Sequence, residues 1–208
     1  PGILTEYIPH SLEEKIGTLS KEKALTYFLQ ISSAIHVLHQ EGIVLADIKP
    51  TQFRISDDEN VKLVDLNLKY GNNEYNTSSL IQSVALSLVE GKSKIRGTPR
   101  YMAPEQWDLL EGKEAVIDER TDVYQLSSLL YELITGIKPE GTYEPLQGKL
   151  KLLNDVIVKG RMREKEKRYQ SVSEFIDAIK RKSKPYEKGK RINDLVDETE
   201  VKERSDVN

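Results

Sequence analysis

The chain of 208 residues contains no cysteine. Disulfides, thiol nucleophiles and cysteine-ligated zinc are therefore excluded. Histidine is nearly as scarce, with three residues in all, His10, His36 and His39. His36 and His39 stand three apart and can share a helix face, but no carboxylate lies near them at metal-ligand spacing, so no metal site is expected there. Gly-x-Gly occurs nowhere, and the nearest nucleotide-loop spacing, Gly136 to Gly141, is followed by Thr142 instead of Lys. Gly136 reads better as a helix cap. No run approaches the roughly 20 apolar residues of a membrane span, and no signal-peptide pattern opens the chain. Charge of neither sign dominates: 31 Lys and Arg stand against 34 Asp and Glu, a formal net charge of −3. No basic field points to nucleic acid. These absences imply a soluble, cytoplasmic domain. The start at Pro1, with no Met, suggests a trimmed chain or a fragment.

What is present supports one sizeable core, with 38% hydrophobic and 31% charged residues. The apolar stretch 3–8 reads as a strand that ends at Pro9. Ser11-Leu12-Glu13-Glu14 has the capping-box pattern of a short helix. Ser20 can cap a longer one, whose Leu25, Phe28, Ile31, Ile35 and Leu38 recur at steps of three and four and whose stop is Gly42. Residues 52–55 and 61–64 read as short strands around the turn chemistry of Asp57-Asp58-Glu59-Asn60, a β-hairpin. From 66 to about 100 the chain is polar and irregular, with a short helix over 80–88. A connection this long is functional or mobile as a rule.

Helices resume with Val123, Leu126, Leu129, Leu130, Leu133 and Ile134 on one strongly apolar element ended by Gly136 and Pro139. Another covers about 150–159. Ser171-Val172-Ser173-Glu174 is a second capping box, followed by Phe175, Ile176 and Ile179 on one face. Residues 183–208 lose the apolar pattern, run basic and then acidic, and read as a charged tail or linker rather than a membrane or nucleic-acid anchor. No internal repeat is present.

The chemistry-bearing segment is Leu45-Ala46-Asp47-Ile48-Lys49-Pro50-Thr51-Gln52, followed by Asp65-Leu66-Asn67. Downstream come Gly97-Thr98-Pro99-Arg100-Tyr101-Met102-Ala103-Pro104-Glu105, then Asp122-Val123-Tyr124 and Arg168-Tyr169-Gln170-Ser171. Taken alone, an Asp beside a Lys in a loop is a surface pair, and an Asp after a strand is a turn residue. In this order and spacing the series resembles the protein kinase family, its Ser/Thr branch in particular, over residues 3 to about 182.

The resemblance implies an α+β, mainly helical fold: the C-terminal lobe of a protein-kinase-like domain over 1–182, with a small β-hairpin. It places the hinge at 6–8, the catalytic loop at 45–52 and the activation segment at 65–105. It implies ATP and Mg2+ as cofactors, with Glu6, Ile8 and Gln52 on the nucleotide side and Gln52 and Asp65 as metal ligands. Asp47 matches the residue that orients the substrate hydroxyl and takes its proton. Lys49 adds positive charge beside the transferred group, and Thr98 ties the docking loop to that pair. Glu105 and Arg168 resemble a buried ion pair, and Asp122 a carboxylate that accepts N–H groups from the catalytic loop.

Four departures from the family pattern stand out. Leu45-Ala46 replaces His-Arg, so no guanidinium is available to pair with a phosphate on the activation segment. Gln52 replaces the metal-binding Asn and carries its amide one methylene further out. Asp65-Leu66-Asn67 replaces Asp-Phe-Gly. The Gly-rich loop and the ATP-pairing Lys of the small lobe have no counterpart here. The fragment alone is therefore expected to bind Mg-ATP very weakly, and its small-lobe-facing surface to favour self-association. The activity expected of the parent is phosphate transfer to protein Ser/Thr. The alternatives are a pseudokinase scaffold that binds a protein partner without phosphotransfer, and an unrelated helical domain with chance motifs.

Overall fold

The computed structural model describes residues 6–64, 99–139 and 143–183. Among the described residues the sheet is antiparallel, in the order β1 (His10–Ser11), β2 (Phe53–Ile55) and β3 (Val61–Leu63). The expected hairpin is β2–β3, with Phe53 opposite Leu63 and Ile55 opposite Val61. The turn carries Glu59 at φ 62°. A third strand was not foreseen: His10 pairs with Ile55 and Ser11 with Arg54. Residues 6–8, expected in a strand, are not in one, because pairing starts only beyond Pro9.

Ser11 therefore serves the sheet. Its side chain makes no capping bond to helix α1 (Leu12–Lys15), and the predicted capping box does not close there. Helix α2 (Lys21–Gln40) starts as expected, the Ser20 hydroxyl accepting from Lys23 N–H at 3.2 Å. It stops just before Gly42, whose φ of 72° suits glycine best. Its buried stripe is Ala24, Tyr27, Phe28, Ile31, Ile35 and His39, while Leu25 and Leu38 are only partly covered.

Helix α3 (Pro104–Leu110) begins with proline at its first position, where a missing N–H costs nothing. Helix α4 (Glu119–Thr135) is the centre of the fold, with nearly every residue from Thr121 to Ile134 buried. It packs on α2, on α5 (Asn154–Gly160) and on α6 (Val172–Ser183). The predicted helix over 150–159 is thus a 3-10 turn, Gly148–Leu153, followed by α5. Gly160 allows α5 to press on α4, since a Cβ there would sit 1.9 Å from Ser127 Oγ. Ser171 Oγ accepts from Glu174 N–H at 3.1 Å, so Ser171 caps α6 as expected, while the Glu174 carboxylate reaches one residue further back than the box requires and accepts from Gln170 N–H at 2.8 Å. Phe175 then meets Phe28 edge-on at 5.9 Å and Tyr169 at 5.3 Å, locking α6 against α2.

Candidate functional site

The loop between α2 and β2 carries Asp47 and Lys49. Lys49 Nζ donates to Asp47 Oδ2 at 2.6 Å. Residues two apart in an extended loop point the same way, which lets the pair form. The crowded loop pushes the Asp47 carboxyl above its ordinary range, and Lys49 pulls it back. Solvent still reaches 54% of the Asp47 side chain, which limits that rise. Gln52 closes the short 3-10 turn Pro50–Gln52. Its Oε1 accepts from Lys49 N–H at a long 3.3 Å, and its carbonyl accepts from Val64 N–H at 2.7 Å. The second bond fixes Gln52 beside the residue that precedes Asp65. Asp65 and Thr98 lie outside the described residues.

Beneath the loop the chemistry changes to fully buried anchors. Asp122 on α4 has no exposure. Its carboxylate accepts from Leu45 N–H at 2.9 Å and Ala46 N–H at 2.7 Å, and lies 2.7 Å from His39 Nε2. The two backbone donors match the role expected for this residue, and the cap of α4 is a different carboxylate, Asp118. His39 was not foreseen as the third partner. It sits one turn beyond Ile35 on the buried face of α2, the one cue the sequence offered. Its Nδ1 is buried 3.6 Å from Glu119 Oε2.

Gln125 and Gln106 were missed as well. Gln125 Oε1 accepts from Ile48 N–H at 2.8 Å, and Gln106 Nε2 donates to the Ala46 carbonyl at 2.8 Å. Gln125 interrupts the apolar run Val123–Leu126, which was the available signal.

Glu105 and Arg168 form the expected buried pair, two parallel bonds of 2.7 Å. Thr121 Oγ1 adds a third donor to Glu105 at 2.8 Å. The remaining guanidinium hydrogens go to the carbonyls of Met162, Arg120 and Arg163. Every charge in this knot is satisfied. The Tyr101 hydroxyl donates to Glu132 in the same layer. Burial, then the carboxylate, pushes the Tyr101 hydroxyl up; burial pushes Glu132 up against that hydrogen bond.

At the other end of the described sheet, Glu6 pairs with Lys62 on β3 at 2.7 and 2.8 Å. Ile8 is buried. Among the described residues no group of three or more His, Asp or Glu stands ready to hold a metal, and no helix is long and apolar enough to cross a membrane. The donor chemistry at the loop, one cation and one hard amide oxygen beside a carboxylate, fits the phosphate end of a magnesium nucleotide.

Comparison with known proteins identifies the family and the fold. The family model described as protein kinase domain matches residues 2–200. A probable serine/threonine-protein kinase of Clostridium acetobutylicum is 27% identical over 199 residues, covering 85% of this chain and 28% of its own. The serine/threonine-protein kinase PknL of Mycobacterium tuberculosis is 30% identical over 123 residues, covering 59% of this chain and 27% of its own. The chain thus spans roughly a quarter of the length of these curated relatives. The crystal structure of a double mutant of the PknI kinase domain from Mycobacterium tuberculosis superposes with a TM-score of 0.58 at 20% identity, covering 86% of this chain and 64% of that one. That likeness shows a kinase-like fold.

Proposed function

The chain belongs to the protein kinase family, and from that premise we propose that it provides the catalytic loop of a protein serine/threonine kinase. Chance motifs on an unrelated helical domain are set aside by the family match. The observation that carries the proposal is the Asp47–Lys49 pair, 2.6 Å apart, on a loop whose backbone is clamped to buried Asp122. Mg-ATP, when bound, supplies the phosphoryl group, with Gln52 and Asp65 as the residues to hold the metal and Glu6 to Ile8 beside the nucleotide. Asp47 orients the acceptor hydroxyl and takes its proton. Lys49 offsets negative charge at the transferred group, and Thr98 holds the docking loop to both. Phosphoryl transfer needs little more than such positioning and neutralisation.

The test is transfer from ATP to a generic protein substrate by the full native chain, with Asp47→Asn as control. Incorporation should fall at least about a hundredfold in the variant. Equal incorporation in both would sink the proposal. The second reading, a scaffold without phosphotransfer, draws on Gln52: its amide oxygen is already turned to Lys49 N–H. In that case Asp47→Asn leaves partner binding and biological role intact.

A further inference from the structure

One side chain grips the backbone on both sides of Asp47. Gln125 Oε1 accepts from Ile48 N–H at 2.8 Å, and Gln125 Nε2 donates to the Ala46 carbonyl at 3.1 Å. Gln106 Nε2 reaches the same carbonyl at 2.8 Å. Gln106 Oε1 accepts from Gln125 Nε2 at 2.8 Å and from Ala103 N–H at 2.9 Å. Both glutamines are 1% exposed. Ala46 itself sits at φ 53°, in the left-handed region that alanine rarely adopts. A conformation of that kind persists only where its surroundings over-determine it. Here Asp122 holds the Ala46 N–H and two amide groups hold its carbonyl.

We infer that Gln125 and Gln106 form an amide clasp that positions Asp47 and ties its loop to α3. Gln125 is a positioning residue, since it touches backbone beside Asp47 and no reacting group. The consequence for rate rests on the kinase reading above; the clasp itself does not.

Gln125→Met in the full native chain keeps side-chain length and removes both polar ends. Amide exchange at Ile48 should rise at least about tenfold, while Leu129 and Leu130 on the same helix keep their protection. Phosphate transfer should lose roughly ten- to a hundredfold in kcat, with the KM for ATP within about twofold. Unchanged exchange at Ile48 in folded Q125M overturns the clasp. If Ile48 loosens but neither protein transfers phosphate, the clasp stands and the catalytic reading falls. Should Q125M not fold, Gln106→Met decides: the clasp requires exchange to rise at Ile48 together with Ala103, and a rise at Ala103 alone overturns it.

Discussion

Asp122 and Asp47 serve one loop from opposite sides, and their surroundings differ in kind. Asp122 is wholly buried, accepts two backbone N–H groups and faces His39. Asp47 is 54% exposed and has the flexible ammonium of Lys49 as its partner. A buried carboxylate is tolerable only when its lone pairs are filled, and removing a partner is then expensive. An exposed pair contributes little to stability and is free to trade partners. The frame is therefore where the fold is vulnerable, and the open pair is where chemistry can be changed without unfolding the protein.

The sharpest way to break that contrast is to attack the other filled knot. Arg168→Ala leaves Glu105 buried and removes bonds to three carbonyls. It should cost about 3–5 kcal/mol, read as a lower urea midpoint with an unchanged slope. A loss below about 1 kcal/mol would mean the knot is no anchor. Next in size is Gly160→Ala, where the new Cβ meets Ser127 Oγ at 1.9 Å and Ser127 Cβ at 2.9 Å. Overpacking of this kind should cost roughly 1–3 kcal/mol. Adding Ser127→Gly should return part of it in a double-mutant cycle, because that removes both clashing atoms.

The open pair was legible in the sequence, and much of the frame was not. Asp47, Lys49, Asp122, Glu105 and Arg168 stand at motif spacings, and the bonds of Asp122 and the Glu105–Arg168 pair match what those spacings implied. The core residues of α2 and α6 followed largely from helical period, because one apolar stripe of each faces the core, whereas α4 is buried on nearly every side, polar residues included. Gln106, Gln125 and His39 escaped, since their partners are backbone or carboxylate groups 60 to 83 residues away, and no local pattern encodes such a pairing. The strand β1 escaped for a related reason. It is two residues long and exists only because β2 offers an edge, so the local capping signal at Ser11 pointed elsewhere. At Ser171, where no sheet edge competes, the same signal was right.

A smaller effect separates the frame from its rim. Burial works against the Asp118 carboxylate, but hydrogen bonds from Arg120 and Lys165 outweigh it and hold the group down to about 2 from 3.8. A carboxyl lowered in the folded state stabilises above its unfolded value, and that contribution disappears as pH falls through the folded one. Between pH 4 and 2 the protein should therefore lose roughly 2 kcal/mol through this group. Asp118→Asn should flatten that part of the stability–pH curve and lower the plateau above pH 5. A curve with unchanged slope would reassign the acid sensitivity to other carboxylates.

The smallest expected change completes the comparison. Asp47→Asn removes an exposed charge and one ion pair. Burial raises the Asp47 carboxyl above its ordinary range, so its ionised form is a slight cost to the folded state at neutral pH, offset in part by Lys49. The two contributions oppose each other, and the urea midpoint should shift by no more than about 0.5 kcal/mol equivalent in either direction. The same substitution is the one expected to cut phosphate transfer at least about a hundredfold. A large stability loss at Asp47 would place it with Asp122 as part of the frame, and any fall in activity would then report a disordered loop instead of a missing base.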